Sequence, residues 1–191
     1  TGMAVAPGFI NMLSWADENV VRDQYLVSDI KQGVTLEVFG EGHSQGPLRR
    51  RNRTQGDSLW STLGEFFDFL TRRGFTPNVA SFVGATSVRI YEMGFINRAP
   101  TSDELQRMKA LVQQAMQEGA MGLGTSLIYP PASYTSTDEL IELAKVASGY
   151  GGIYITHMRS EGDFILAGID ETIRISKEAN IPAEIYHLKI N

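Results

Sequence analysis

Five times along this chain a short strand-like run is followed by a longer helix-like one, and a sixth strand-like run closes the series. Strands alternating with helices of this length pair in parallel through right-handed crossovers. The predicted strands are Met3–Leu13, Val34–Phe39, Asn78–Val83, "AMGLGTSL" at 120–127, "IYITHM" at 153–158 and "PAEIYHLKI" at 182–190. The predicted helices are Glu18–Gln32, Ser61–Arg73, 102–118, Thr135–Tyr150 and Phe164–Ala179. Leu63, Phe66, Phe67 and Leu70 form a stripe at i, i+3, i+4, i+7. Thr101 or Ser102 followed by Asp103 and Glu104, and "TSTDEL" from 135, are start signals; Gly33, Gly74, Gly119 and Gly149 are stops.

Two architectures use such units: an open doubly wound sheet and a (β/α)8 barrel. No GxGxxG follows the first strand and no GxxxxGK[ST] occurs, which removes the main phosphate-binding signatures of open sheets. The expected fold is therefore α/β, a (β/α)8 TIM-type barrel that is incomplete in this chain, since six strands are read. Residues 1–191 are expected to form a partial barrel domain. A start at Thr1 and an apolar strand beside the last residue fit a piece of something longer.

The composition is that of a globular chain, 42% hydrophobic and 20% charged. There is no cysteine, so disulfides, thiolate zinc sites and cysteine nucleophiles are excluded. With no basic-then-apolar leader, a cytoplasmic setting is expected. No apolar run reaches membrane-spanning length, and a net charge of −5 argues against nucleic acid. Arg49, Arg50, Arg51 and Arg53, in the long loop after the second strand, read as a solvated cluster.

The three histidines, His43, His157 and His187, all fall at or just past the C-terminal end of a predicted strand. In parallel α/β folds these ends form one rim, where active sites are built. Glu41 joins them after the second strand, and imidazole with carboxylate is a zinc-binding set. Lys189 follows His187 by two residues, so on a strand it points the same way and could hold a substrate carboxylate. By the same alternation His157, Arg159 and Glu161 would share a face. Arg159 would then bind an anion or brace Glu161, with a plain ion pair as the alternative. Tyr129 and Tyr134 flank Pro130 and Pro131 on the same rim and suit a pocket wall.

The ordered segments "APGFIN" (6–11), "SDIKQGVT" (28–35), "NVASFVG" (78–84), "GAMGLGTSLIYPPA" (119–132), "THMRSEG" (156–162) and "HLK" (187–189) resemble the D-aminoacylase branch of the amidohydrolase superfamily. The resemblance implies a metal-dependent barrel that hydrolyses the amide of N-acyl-D-amino acids. It implies that this chain covers barrel strands one to six, and that the catalytic aspartate lies beyond Asn191. His157 and His187 match the two histidine ligands, and Lys189 the residue that holds the substrate carboxylate. Many amidohydrolases carry His-x-His on strand one; here Leu13-Ser14-Trp15 stands there and offers no ligand. The usual cysteine after strand two is also missing. The strand-three "GHG" of the family is replaced by Gly84-Ala85-Thr86. Expected, then, is one zinc ion on His157, His187 and Glu41, with His43 as the second choice for the third ligand. Lys189, Arg159 and Tyr129 are expected to bind substrate, and Trp15 to fill the vacated strand-one space. The expected partner is a small N-acyl amino acid, with self-association through open barrel edges. The rival readings are a decayed barrel that only binds, and a hydrolase of a cyclic amide or dipeptide.

Overall fold

The computed structural model describes residues 2, 4–19, 22–49 and 59–189. Arg50, Arg51 and Arg53 of the basic cluster lie outside these residues. Arg49 is tied down, donating to Tyr91 O at 2.5 Å and Glu92 O at 3.1 Å.

Seven strands are described: β1 (Phe9–Asn11), β2 (Val34–Phe39), β3 (Asn78–Ser81), β4 (Val83–Gly84), β5 (Gly122–Ser126), β6 (Ile153–His157) and β7 (Ala183–Tyr186). All pair in parallel, in two sheets of order β1-β2-β3 and β4-β5-β6-β7. The predicted third strand is thus divided. Asn78–Ser81 pairs with β2, whereas Val83–Gly84 pairs with β5. Phe82 lies at the switch, its N–H donating to Phe39 O at 2.9 Å. The described residues therefore form mixed α/β layers with parallel sheets, and neither sheet closes on itself.

Six α-helices accompany them: α1 (Val27–Lys31), α2 (Leu63–Arg73), α3 (Ala85–Met93), α4 (Ser102–Gln117), α5 (Thr137–Ser148) and α6 (Ile165–Ala179). Thr62 with Glu65, and Thr101 with Glu104, close reciprocal capping boxes at α2 and α4. Ser136 caps α5 by accepting from Glu139 N. Alternation along the strands sorts the apolar side chains. Phe39, Val83, Leu123 and Tyr154 enter the large core shared with the helices. Val38, Phe82 and Ile155 point to the other face, with Leu36, Ile153 and Tyr186 packed against them.

Two expectations fail for local reasons. Among the described residues, the predicted helix Glu18–Gln32 is reduced to a single 3-10 turn at Ala16–Glu18 and the short α1. The Asp23 carboxylate accepts from Tyr25 N at 3.0 Å and Leu26 N at 3.1 Å, and Leu26 is left-handed at φ 40°. A side chain that binds its own backbone competes with the helix. Conversely α3 was not expected at all. Its residues Ala85–Arg89 are all buried, so it carries no polar stripe to reveal a period.

Candidate metal centre

The C-terminal ends of β2, β5, β6 and β7 meet at one rim. After β2 the chain turns through Gly40 and Gly42, at φ 102° and 82°. A Cβ on Gly40 would stand 2.3 Å from Phe82 O, and one on Gly42 2.6 Å from Ser126 Oγ. Only glycine allows this close crossing, and the crossing turns Glu41 inward. Ser126 at the end of β5 donates to Glu41 O at 2.9 Å and pins the turn. His157 is the last residue of β6, paired in register with Ser126 and Tyr186. His187 follows β7 directly in a left-handed conformation, φ 57°. Such a backbone costs a non-glycine residue energy and concentrates at functional sites.

Three side chains converge. Glu41 Oε1 lies 2.8 Å from His187 Nε2 and 3.6 Å from His157 Nδ1. One donor atom from each falls within 4.8 Å of the others, a spacing that could hold a metal ion. Glu41 and His157 are buried, and His187 is partly so. Glu41 Oε1 and His157 Nε2 are both buried without an aligned hydrogen bond. Burial raises the Glu41 carboxyl, opposed by His187, by a hydrogen bond from Trp15 and by Lys189. Burial, and then the neighbouring His187, lower His157 below its ordinary value, which favours the neutral, ligating imidazole.

Glu161 and Lys189 border this group. Glu161 Oε1 is 2.9 Å from His157 Nε2 and accepts from Lys189 Nζ at 2.5 Å. Lys189 lowers the Glu161 carboxyl. All five residues line a cavity of about 830 Å³, with Trp15, Thr86, Ser126, Tyr129 and Ala132 among its walls. Tyr129 stands edge-on to the His157 ring, centroids 5.4 Å apart.

The sequence-predicted site residues thus divide. Glu41, His157 and His187 come together, and Lys189 and Tyr129 border them. His43 lines the cavity wall but is exposed and stands outside the three-residue group. Arg159 is corrected. The strand ends at His157, so alternation no longer applies, and Arg159 does not face the cavity. Its guanidinium donates to both oxygens of Glu171 (3.0 and 2.9 Å) and to Ser133 O and Thr135 O (2.9 Å each). Tyr134 is absent from the cavity wall. Thr86 and Ser126 were missed, because a hydroxyl at a strand end carries no distinctive pattern.

No protein-family model matches the chain. It is 38% identical over its whole length to the D-aminoacylase of Alcaligenes xylosoxydans xylosoxydans. A crystal structure of D-aminoacylase, described as defining a novel subset of amidohydrolases, superposes on 96% of the chain with TM-score 0.86 and 34% identity. The N-acyl-D-glutamate deacylase of Bordetella bronchiseptica, solved with zinc and a phosphonate mimic of the tetrahedral intermediate, covers 93% with TM-score 0.83 and 28% identity. The chain spans 41% of the first two relatives and 39% of the third. A parallel α/β scaffold with a His-His-carboxylate rim defines the class as amidohydrolase-like. Within that class, the chain is homologous along its whole length to the D-aminoacylases.

Proposed function

We propose that this chain supplies the metal-binding half of a zinc-dependent deacylase that hydrolyses the amide bond of N-acyl-D-amino acids. The observation that carries the reading is the buried convergence of Glu41, His157 and His187, with Glu41 Oε1 left without an aligned partner. Those donors fit one zinc ion, and the described residues contain no second group of this kind. A zinc ion there would polarise a carbonyl and lower the pKa of water from about 15.7 to about 7.

The chain's own groups do the rest. Glu41 would bring a negative charge that offsets the ion, and the imidazoles of His157 and His187 would hold it from the ends of β6 and β7. The Lys189 ammonium, at the cavity edge, anchors the substrate carboxylate. Tyr129 and Trp15 give the acyl group an apolar wall. Trp15 fills the strand-one corner, which keeps the site to one ion. We further propose that residues 1–191 form the first six units of a (β/α)8 barrel, completed by chain of the kind that makes up the rest of the relatives. With that remainder missing, the free edges of β1 and β7 would pair with a second copy. A cytoplasmic setting suits the absence of cysteine. Among the described residues no helix is long and apolar enough to cross a membrane.

Zinc content of the purified chain, with and without His187→Ala, is the direct test. One equivalent that disappears in the variant is expected; equal zinc in both would overturn the site. Turnover of N-acyl-D- against N-acyl-L-amino acids by the protein at its natural length tests the activity, and D-selective release of the amino acid is expected.

A further inference from the structure

Glu161 touches two groups at once, and neither contact is explained by holding a metal. One carboxylate oxygen faces His157 Nε2 at 2.9 Å and Lys189 Nζ at 2.5 Å. Glu161 itself is 7% exposed. The ring of His157 presents its other nitrogen, Nδ1, toward Glu41. A histidine that binds a metal through one nitrogen needs its second N–H held, because that partner sets the tautomer and the ring angle. We infer that Glu161 is a positioning residue. It holds the Nε2 side of His157 so that Nδ1 faces the ion, and it stations the Lys189 ammonium beside the same centre.

The local chain explains how it does so. β6 ends at His157, and Met158 is buried. Arg159 is locked outward onto Glu171 and two carbonyls. With that anchor the chain doubles back, and Gly162 N donates to Ser160 Oγ at 3.2 Å. Glu161 is carried over the strand end, four residues from the histidine it faces. The His157–Glu161 contact has the distance of a hydrogen bond but not its alignment. Lys189 arrives from β7 through the tight turn in which Lys189 N donates to His187 O at 2.9 Å. One carboxylate therefore links the metal side of the cavity to its substrate-binding cation.

The inference rests on the proposed zinc site, and the test separates the two. Zinc affinity is measured by competition with a chromogenic chelator, and the cobalt(II)-loaded chain is followed by its visible absorption, for wild type, Glu161→Ala, Glu161→Gln and Lys189→Met. Glu161→Ala is expected to weaken zinc by about 10- to 100-fold and to change the cobalt spectrum. Glu161→Gln keeps an acceptor for Nε2–H and is expected within about 3-fold of wild type. Lys189→Met, which removes the second contact together with one positive charge, is expected to weaken zinc by no more than about 3-fold. Zinc binding by Glu161→Ala as tight as wild type would overturn the inference and leave the zinc site standing. So would an equal loss in Lys189→Met, or a loss in Glu161→Gln as large as in Glu161→Ala. If Glu161→Ala does not fold, Glu161→Met, which fills the space without offering an acceptor, takes its place and is expected to weaken zinc by the same about 10- to 100-fold, with wild-type affinity overturning the inference. A wild-type chain that binds zinc no better than His157→Ala removes the site and the inference together.

Discussion

His157 and Arg159 stand two residues apart at the end of β6, yet they enter clusters of opposite character. Arg159 is part of a closed clamp. Its donors meet Glu171, Ser133 O and Thr135 O, so every charge has a partner within the protein. His157 is part of an open cluster, in which the Glu41 Oε1 that its Nδ1 faces is buried without an aligned hydrogen bond. Burying a polar group without a partner costs free energy, so a closed network serves stability and an open one is kept for something that binds. The same short segment therefore contributes to the scaffold with one side chain and to the site with another.

The sharpest way to break this contrast is to cross the two mutations. His157→Ala is expected to lower zinc affinity by at least about 100-fold while leaving urea unfolding of the metal-free chain nearly unchanged. Arg159→Ala is expected to do the reverse. It should cost about 2 kcal/mol in urea unfolding, because the Glu171 carboxylate keeps only the Thr137 hydroxyl and loses its charged partner, with little change in zinc affinity. Loss of zinc in Arg159→Ala as severe as in His157→Ala would show that the clamp and the site are one unit.

A third test concerns a buried carboxylate outside both clusters. Burial raises Asp17 to about 6, against a partly offsetting hydrogen bond from Gln45. The folded state thus binds the proton more tightly than the unfolded chain. The favourable contribution of the neutral acid is complete below the unfolded value of 3.8 and is lost as the pH rises through about 6. Asp17→Asn, which stays neutral, is expected to be more stable than wild type at pH 7.5, by on the order of 2 kcal/mol. Near pH 3.5 the difference should vanish, as read from urea midpoints at the two pH values. The smallest effect belongs to a helix cap. Thr62→Ala removes one half of the α2 capping box and should cost about 1 kcal/mol.

Much of this was legible in the residues. Histidines at three strand ends are sparse and chemically specific, so the residues alone mark the rim and offer Glu41 as a candidate beside them. The helices with caps and stripes, α2, α4, α5 and α6, could be read because their signals are local. The segment 18–32 misled because its helical composition is overruled by one Asp23 side chain bound to nearby backbone. Helix α3 was hidden because burial on every side erases a periodic pattern.

What the sequence by itself determined is the alternation of strands and helices, the parallel sheets that follow from it, and the chemistry available at their ends. Tertiary structure alone decided which of those groups meet. Alternation predicts a shared face for His157, Arg159 and Glu161 only while a strand continues. The strand stops at His157, and the turn sends Arg159 outward and Glu161 back over the histidine. It also decided that Glu41 reaches His187 at 2.8 Å, although the two follow strands far apart in sequence. Residue identity sets what a side chain can bind, whereas the path of the backbone around it sets what it does bind.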